Sequence, residues 1–118
     1  MRSTGAAFET LACRHLEAAG LRLLERNFTT RYGELDLVMM DGATLVFVEV
    51  RYRAGQDFGG ALASITATKR ARLVRAASLY LAAHPRLAQS PSRFDVVAFD
   101  GTVTPPACRW LRAAFDAI

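Results

Sequence analysis

Two acidic signatures interrupt consecutive apolar runs: Gly33-Glu34-Leu35-Asp36-Leu37-Val38, then Val46-Phe47-Val48-Glu49-Val50-Arg51. A carboxylate is rarely buried in an apolar segment without a partner. Two of them on neighbouring segments therefore point to a cation that both could share. Asp36, Glu49 and the basic side chain of Arg51 two residues later are the residue types that hold a divalent metal beside a phosphate. A metal so placed can activate water and neutralise charge developing on the phosphate. The competing reading is a hairpin whose carboxylates simply face solvent.

The elements that must position these residues follow from periodicity. Asp41-Gly42 between two apolar runs signals a hairpin, with strands from about Glu34 to Met40 and from Ala43 or Thr44 to Tyr52. A two-residue Asp41-Gly42 turn sets Met40 against Ala43, Asp36 against Phe47 and Glu34 against Glu49. Glu34, Asp36, Glu49 and Arg51 then share one face, with Asp36 and Glu49 diagonal neighbours about 7 Å apart by Cβ. A slip of one residue would separate them to opposite faces.

Upstream, Ser3 or Thr4 caps a helix ending at Gly20, with Phe8, Leu11, Ala12, His15, Leu16 and Ala19 as its apolar stripe. Glu9 lies one residue off that stripe, where it could look into a cleft. Leu21–Phe28 reads as a strand, followed by a turn at Tyr32-Gly33. Downstream, Arg53–Gly60 is a glycine-rich loop. Thr66 or Thr68 caps a helix reaching His84, with Leu73, Ala77, Tyr80 and Leu81 on its core face. Lys69, Arg70, Arg72 and Arg75 crowd its first two turns. Pro85 and Pro91 bracket a loop, and Arg93–Asp100 is another strand. Asp95 interrupts that strand, and a structural partner such as Arg93 or a helix end explains it as well as a functional role does. Cys108–Ile118 is a strand or short helix covering an edge. The order αβββαβ plus a C-terminal tail element predicts an α/β fold: a central mixed sheet flanked by helices, with a right-handed crossover from Val46 to Phe99.

Composition bounds the function. The 118 residues predict one domain over 1–118; 52% are hydrophobic and 22% charged, which excludes a disordered chain. Net charge is +4, compatible with phosphate contact. Of fifteen basic residues Lys69 alone is lysine; the other fourteen are arginine, a chain-wide bias. Cys13 and Cys108 are far apart and lack CxxC spacing, as expected for reduced thiols in a cytoplasmic protein. Cys13 and His15, two apart on a helix, do not face one another and make no metal pair. His84 before Pro85 suits a helix end. No signal peptide and no membrane span are read from the chain.

Asp36, a spacer, then Glu49-Val50-Arg51 resembles the PD-(D/E)xK signature of restriction-endonuclease-like nucleases. The ordered set Gly5, Glu9, Asn27, Gly33–Val38, Phe47–Arg53, Lys69 and Arg93–Val97 resembles the bacterial YraN family, whose fold is related to that of archaeal Holliday junction resolvases. The likeness covers roughly Gly5 to Phe115. It implies a restriction-endonuclease-like fold in which Asp36 and Glu49, with the Val50 carbonyl, hold Mg²⁺ or Mn²⁺, and Glu9 completes the site. Arg51 stands where such nucleases usually carry lysine. It keeps the charge and can orient a phosphate, but stays protonated and cannot act as a base.

Basic residues near the acidic strands extend that reading. Arg31, Arg53, Lys69, Arg70 and Arg72 are candidates for contact with nucleic acid, DNA foremost; a solvated helix face is the plainer account of the last three. Two functions stay open. One is a metal-dependent endonuclease or junction-resolving enzyme of DNA repair or recombination, hydrolysing phosphodiesters by a metal-bound water, and working as a homodimer if one copy offers too little surface. The other is a weak or inactive nuclease fold that binds nucleic acid or a protein.

Overall fold

Apolar stretches such as residues 37–40, 45–48 and 96–99 are buried along their length and must be covered on both faces of a sheet. In a computed structural model the described residues are 3–53, 63–100 and 106–116, with side chains from Gly5 to Tyr52 in the first stretch. Helix α1 (Ser3–Ala18) leads into strands β1 (Arg22–Thr30), β2 (Gly33–Asp41) and β3 (Thr44–Arg53). Helix α2 (Ala67–Ala83) and a 3₁₀ turn (Pro85–Leu87) then lead to β4 (Ser92–Asp100) and β5 (Ala107–Phe115). The glycine-rich loop read at Arg53–Gly60 lies outside the described residues beyond Arg53.

The five strands lie in sequence order. β3 and β4 pair in parallel across the α2 connection, and all other neighbours are antiparallel. The mixed α/β architecture is thus the expected one, and the tail is a strand. One apolar layer joins α2 to the sheet through Leu73, Tyr80, Phe47 and Phe94; the other joins α1 through Ala12, Leu16, Val46 and Val97. No helix among the described residues is long and apolar enough to cross a membrane.

The helix ends follow local chemistry. Gly20 takes φ +102 after α1, a conformation that glycine adopts without strain. Thr66 caps α2, its hydroxyl accepting the Lys69 N–H at 3.1 Å. At the other end His84 is the C-cap residue and its ring stacks on Tyr80 at 4.0 Å. The α1 stripe differs from the one read by period. Glu9, Ala12, Cys13 and Leu16 are buried, whereas Leu11 is 41% exposed and His15 and Ala19 face outward. The buried line is rotated towards Glu9, because a carboxyl with polar partners at the sheet end can be covered where an apolar count would leave it at the margin.

The hairpin corrects the expected turn. Asp41 pairs with Thr44, so the turn residues are Gly42, at φ +60, and Ala43. Asp41 stays in the ladder, and its carboxylate accepts from Arg93 at 2.9 Å. The register thereby moves by two residues from the expected one. Parity survives an even shift as far as Leu37 and Val48; beyond that pair the alternation of β2 breaks, and Asp36 and Glu49 share a cleft rather than a regular sheet face. The pairs run down to Leu37 opposite Val48, and Asp36 and Glu49 lie just beyond the last of them.

At the far edge Asp95 is fully buried and organises β5. It accepts from Arg93 Nε, from Trp110 Nε1 and from the backbone N–H of Ala113, each at 3.0 Å. Asp95 is therefore a structural anchor, with Arg93 as one of its partners.

Candidate metal centre

A regular strand would send Leu35 and Leu37 to the same face. Here Leu35 packs in the α2 layer and Leu37 in the α1 layer. The alternation breaks at Asp36, between the β1–β2 pairs Arg26 with Leu37 and Phe28 with Leu35. Asn27 stands between those pairs on β1 and takes φ +56, a left-handed conformation that asparagine tolerates better than most residues. This local twist puts Asp36 at the junction of both layers, within reach of acids arriving from either side.

From the α1 side come Glu9 and Glu34. Asn27 Nδ2 donates to both, at 2.9 Å to Glu9 Oε1 and 3.2 Å to Glu34 Oε1. Thr29 donates to Glu34 Oε2 at 3.2 Å, and Arg26 stands 3.5 Å from Glu9. Glu9, Glu34 and Asp36 each offer one oxygen, and these oxygens all lie within 4.8 Å of one another. From the β3 side, the Val50 N–H donates to Asp36 Oδ2 at 2.9 Å. Resemblance had drawn attention to the Val50 carbonyl; the contact that Val50 makes here is through its N–H.

Glu49 is 4% exposed. Its Oε2 takes Arg51 Nη1 at 3.2 Å and has Lys69 Nζ at 3.7 Å. Its Oε1 is buried and meets no hydrogen-bond donor among the described residues. The mouth of these groups is a cleft of about 340 Å³, lined also by Gly5, Phe8, Val50 and Tyr52.

The electrostatics are those of crowded acids. Burial, then the neighbouring Glu49 charge, pushes Asp36 up to about 8, against the lowering effect of the Val50 N–H. Burial also raises Glu49, while Lys69 and Arg51 pull it down. Both carboxyls are thus raised, and Asp36 lacks the Lys69 and Arg51 contacts that moderate Glu49. Crowded acids short of countercharge, one of them with a buried oxygen that meets no donor among the described residues, are a donor set that a hard divalent cation fits.

Of the residues singled out from sequence, Glu9, Asp36, Glu49, Arg51 and Lys69 line one cleft. Arg70 lines a separate hollow with Ile65, Ala114 and Phe115, and Arg72 is exposed further along α2. Arg31 lies over the Tyr32 ring, as does Arg75, at 5.1 and 5.5 Å. The Arg53 side chain lies outside the described residues. Sequence reading set Glu34 on the acidic face without giving it a ligand role; its parity with Asp36 was the available signal. Ser64, whose hydroxyl receives Arg51 Nε and Nη2 at 3.0 and 2.8 Å, carried no signal.

Fold and cleft together define an α/β protein with a four-carboxylate site at one end of its sheet. Residues 8–99 match the uncharacterised protein family UPF0102, and the chain belongs to that family. It is 52% identical over 116 residues to a UPF0102 protein of Stutzerimonas stutzeri (strain A1501), covering 98% of this chain and 97% of the relative. It is 58% identical over 111 residues to one of Xanthomonas campestris pv. campestris (strain B100), covering 94% and 89%. A UPF0102 protein of Pseudomonas aeruginosa is 52% identical over 118 residues, covering 98% and 94%. The likeness to a bacterial family read from the sequence is met at this family level.

Proposed function

We propose that this protein is a divalent-metal-dependent endonuclease with a restriction-endonuclease-like core, acting on nucleic acid, DNA foremost. The observation that carries the reading is Glu49 Oε1: a buried carboxylate oxygen with no donor among the described residues, beside a cleft shared with Asp36, Glu9 and Glu34. Leaving a buried acceptor unmet costs about 1–3 kcal/mol, so a partner supplied from outside the chain accounts for its persistence.

Asp36 and Glu49 would hold Mg²⁺ or Mn²⁺, with Glu9 and Glu34 offering further oxygens beside Asp36. When bound, the ion supplies a Lewis acid that activates water and offsets charge on the phosphate. The chain supplies the orientation. The Val50 N–H holds one Asp36 oxygen, leaving the other for the ion, and Asn27 spans Glu9 and Glu34 and keeps their separation. Arg51, gripped by Ser64 and Glu49, fixes the direction of the Glu49 carboxylate.

The test is cleavage of branched, single-stranded and duplex substrates by highly purified protein with Mn²⁺, alongside Asp36→Ala and Glu49→Ala. Each variant is expected to lose at least about 100-fold in rate and its calorimetric Mn²⁺ binding, while still binding substrate. Wild-type protein that binds nucleic acid but neither takes up Mn²⁺ nor cuts would favour a binding module instead.

A further inference from the structure

Arg51 occupies the sequence position that should supply the cation for the attacked phosphate, yet each of its three nitrogens already donates within the protein. Nε and Nη2 both go to the Ser64 hydroxyl, and Nη1 goes to Glu49. A planar guanidinium held on two sides cannot turn to a ligand without breaking those bonds. Lys69 reaches the same Glu49 oxygen from the start of α2, through a longer contact of 3.7 Å, and its side chain remains 37% exposed. Among the described residues these two are the basic side chains that line the cleft.

Two independent facts single out Lys69. In a chain with fourteen arginines it is the one lysine, and it stands in the cleft. Its helix position is also locally unfavourable. The first turn of α2 holds Lys69 and Arg70 and no acid, which opposes the positive end of the helix dipole. An anion in front of that turn would relieve the conflict. Glu49 does so in part, and a phosphate entering the cleft would complete it.

We propose that Lys69, not Arg51, is the catalytic cation of this site: its ammonium contacts the phosphate under attack, and Arg51 is a positioning residue for Glu49. This rests on the nuclease reading above. A compact ammonium on a flexible stem can leave Glu49 and follow a phosphate oxygen, whereas a locked guanidinium cannot.

The experiment compares Lys69→Met, Lys69→Arg and Arg51→Met by two readouts, with thermal midpoints as a control for folding. The first is the salt dependence of binding to a 5′-phosphorylated oligonucleotide in EDTA, which needs no metal and no turnover. Lys69→Met should lower the slope of log affinity against log salt by roughly one unit; Arg51→Met should leave the slope unchanged. The second is the cleavage rate with Mn²⁺, in which Lys69→Met should fall at least about 100-fold and Lys69→Arg should recover less than a tenth of the wild-type rate. An unchanged slope in folded Lys69→Met, or full activity in Lys69→Arg, overturns the assignment while leaving the nuclease reading intact. Wild-type protein that neither binds the oligonucleotide nor cuts it removes both.

Discussion

Asp36 is the residue on which the cleft turns, because it is the carboxyl that burial and Glu49 hold protonated. The folded metal-free protein binds more protons than the unfolded chain between 3.8, where Asp36 titrates when unperturbed, and about 8. That contribution to stability is complete below the lower value and is lost as the pH rises through the upper one. Wild-type protein in EDTA should therefore lose on the order of 2–4 kcal/mol, relative to Asp36→Asn, between pH 4 and pH 8. The amide in that variant keeps the shape without the charge, so its urea midpoint at pH 8 should exceed that of wild type, and Mn²⁺ should raise the wild-type midpoint only. Parallel pH profiles for the two proteins would show that the carboxyl is not strained by its surroundings. Stability surrendered for a charged cleft is a common feature of functional sites.

Elements bring these residues together by departing from regularity in two places. The turn of chain at Asn27 and Asp36 sends Leu35 and Leu37 to different layers, and so puts acids from α1, β2 and β3 around one point. At the opposite edge, Asp95 pins β5 through Trp110 and Ala113 while Arg93 ties it to the β2–β3 turn through Asp41. Asp95→Ala removes a buried charge and strands Arg93, Trp110 and an N–H. It should destabilise by on the order of 3–5 kcal/mol. Chemical denaturation measures this, and amide exchange should show the loss concentrated in β4 and β5. A cost under about 1 kcal/mol would mean that water replaces the lost acceptor and that β5 is held by its ladder alone.

At the scale of the whole molecule, an acidic cleft sits in a protein of net charge +4. The basic side chains divide by location: Lys69 and Arg51 inside the cleft, Arg72 exposed along α2, and Arg31 and Arg75 together over Tyr32. That distribution fits a polyanion steered by exposed arginines towards a site where a cation offsets the acids. Arg72→Glu should weaken binding to all sequences about equally and flatten the salt dependence, with the cleavage rate of bound substrate retained. Sequence-selective loss, or unchanged binding, would remove Arg72 from the path of the ligand.

Much of this was legible in one dimension. Period-two and helical patterns located four of the strands and both helices of the described residues, because apolar runs mark central strands and Thr66 and Gly20 mark helix ends by local chemistry alone; the tail, left open between strand and short helix, is the fifth strand. The acids on neighbouring strands were legible too: Asp36 and Glu49 line one cleft despite a turn misread by two residues, although the break in alternation at Asp36 was not legible. Other features were decided only in three dimensions. Glu9 moved from the margin of a stripe to its buried line, Asn27 became the strut between two acids, and Ser64 took hold of Arg51. Lys69, open between a solvated helix face and a contact at the site, lines the cleft. Each of these depends on contacts between segments far apart in the chain, whose geometry is set by twist and packing. Local spacing carries no record of such contacts.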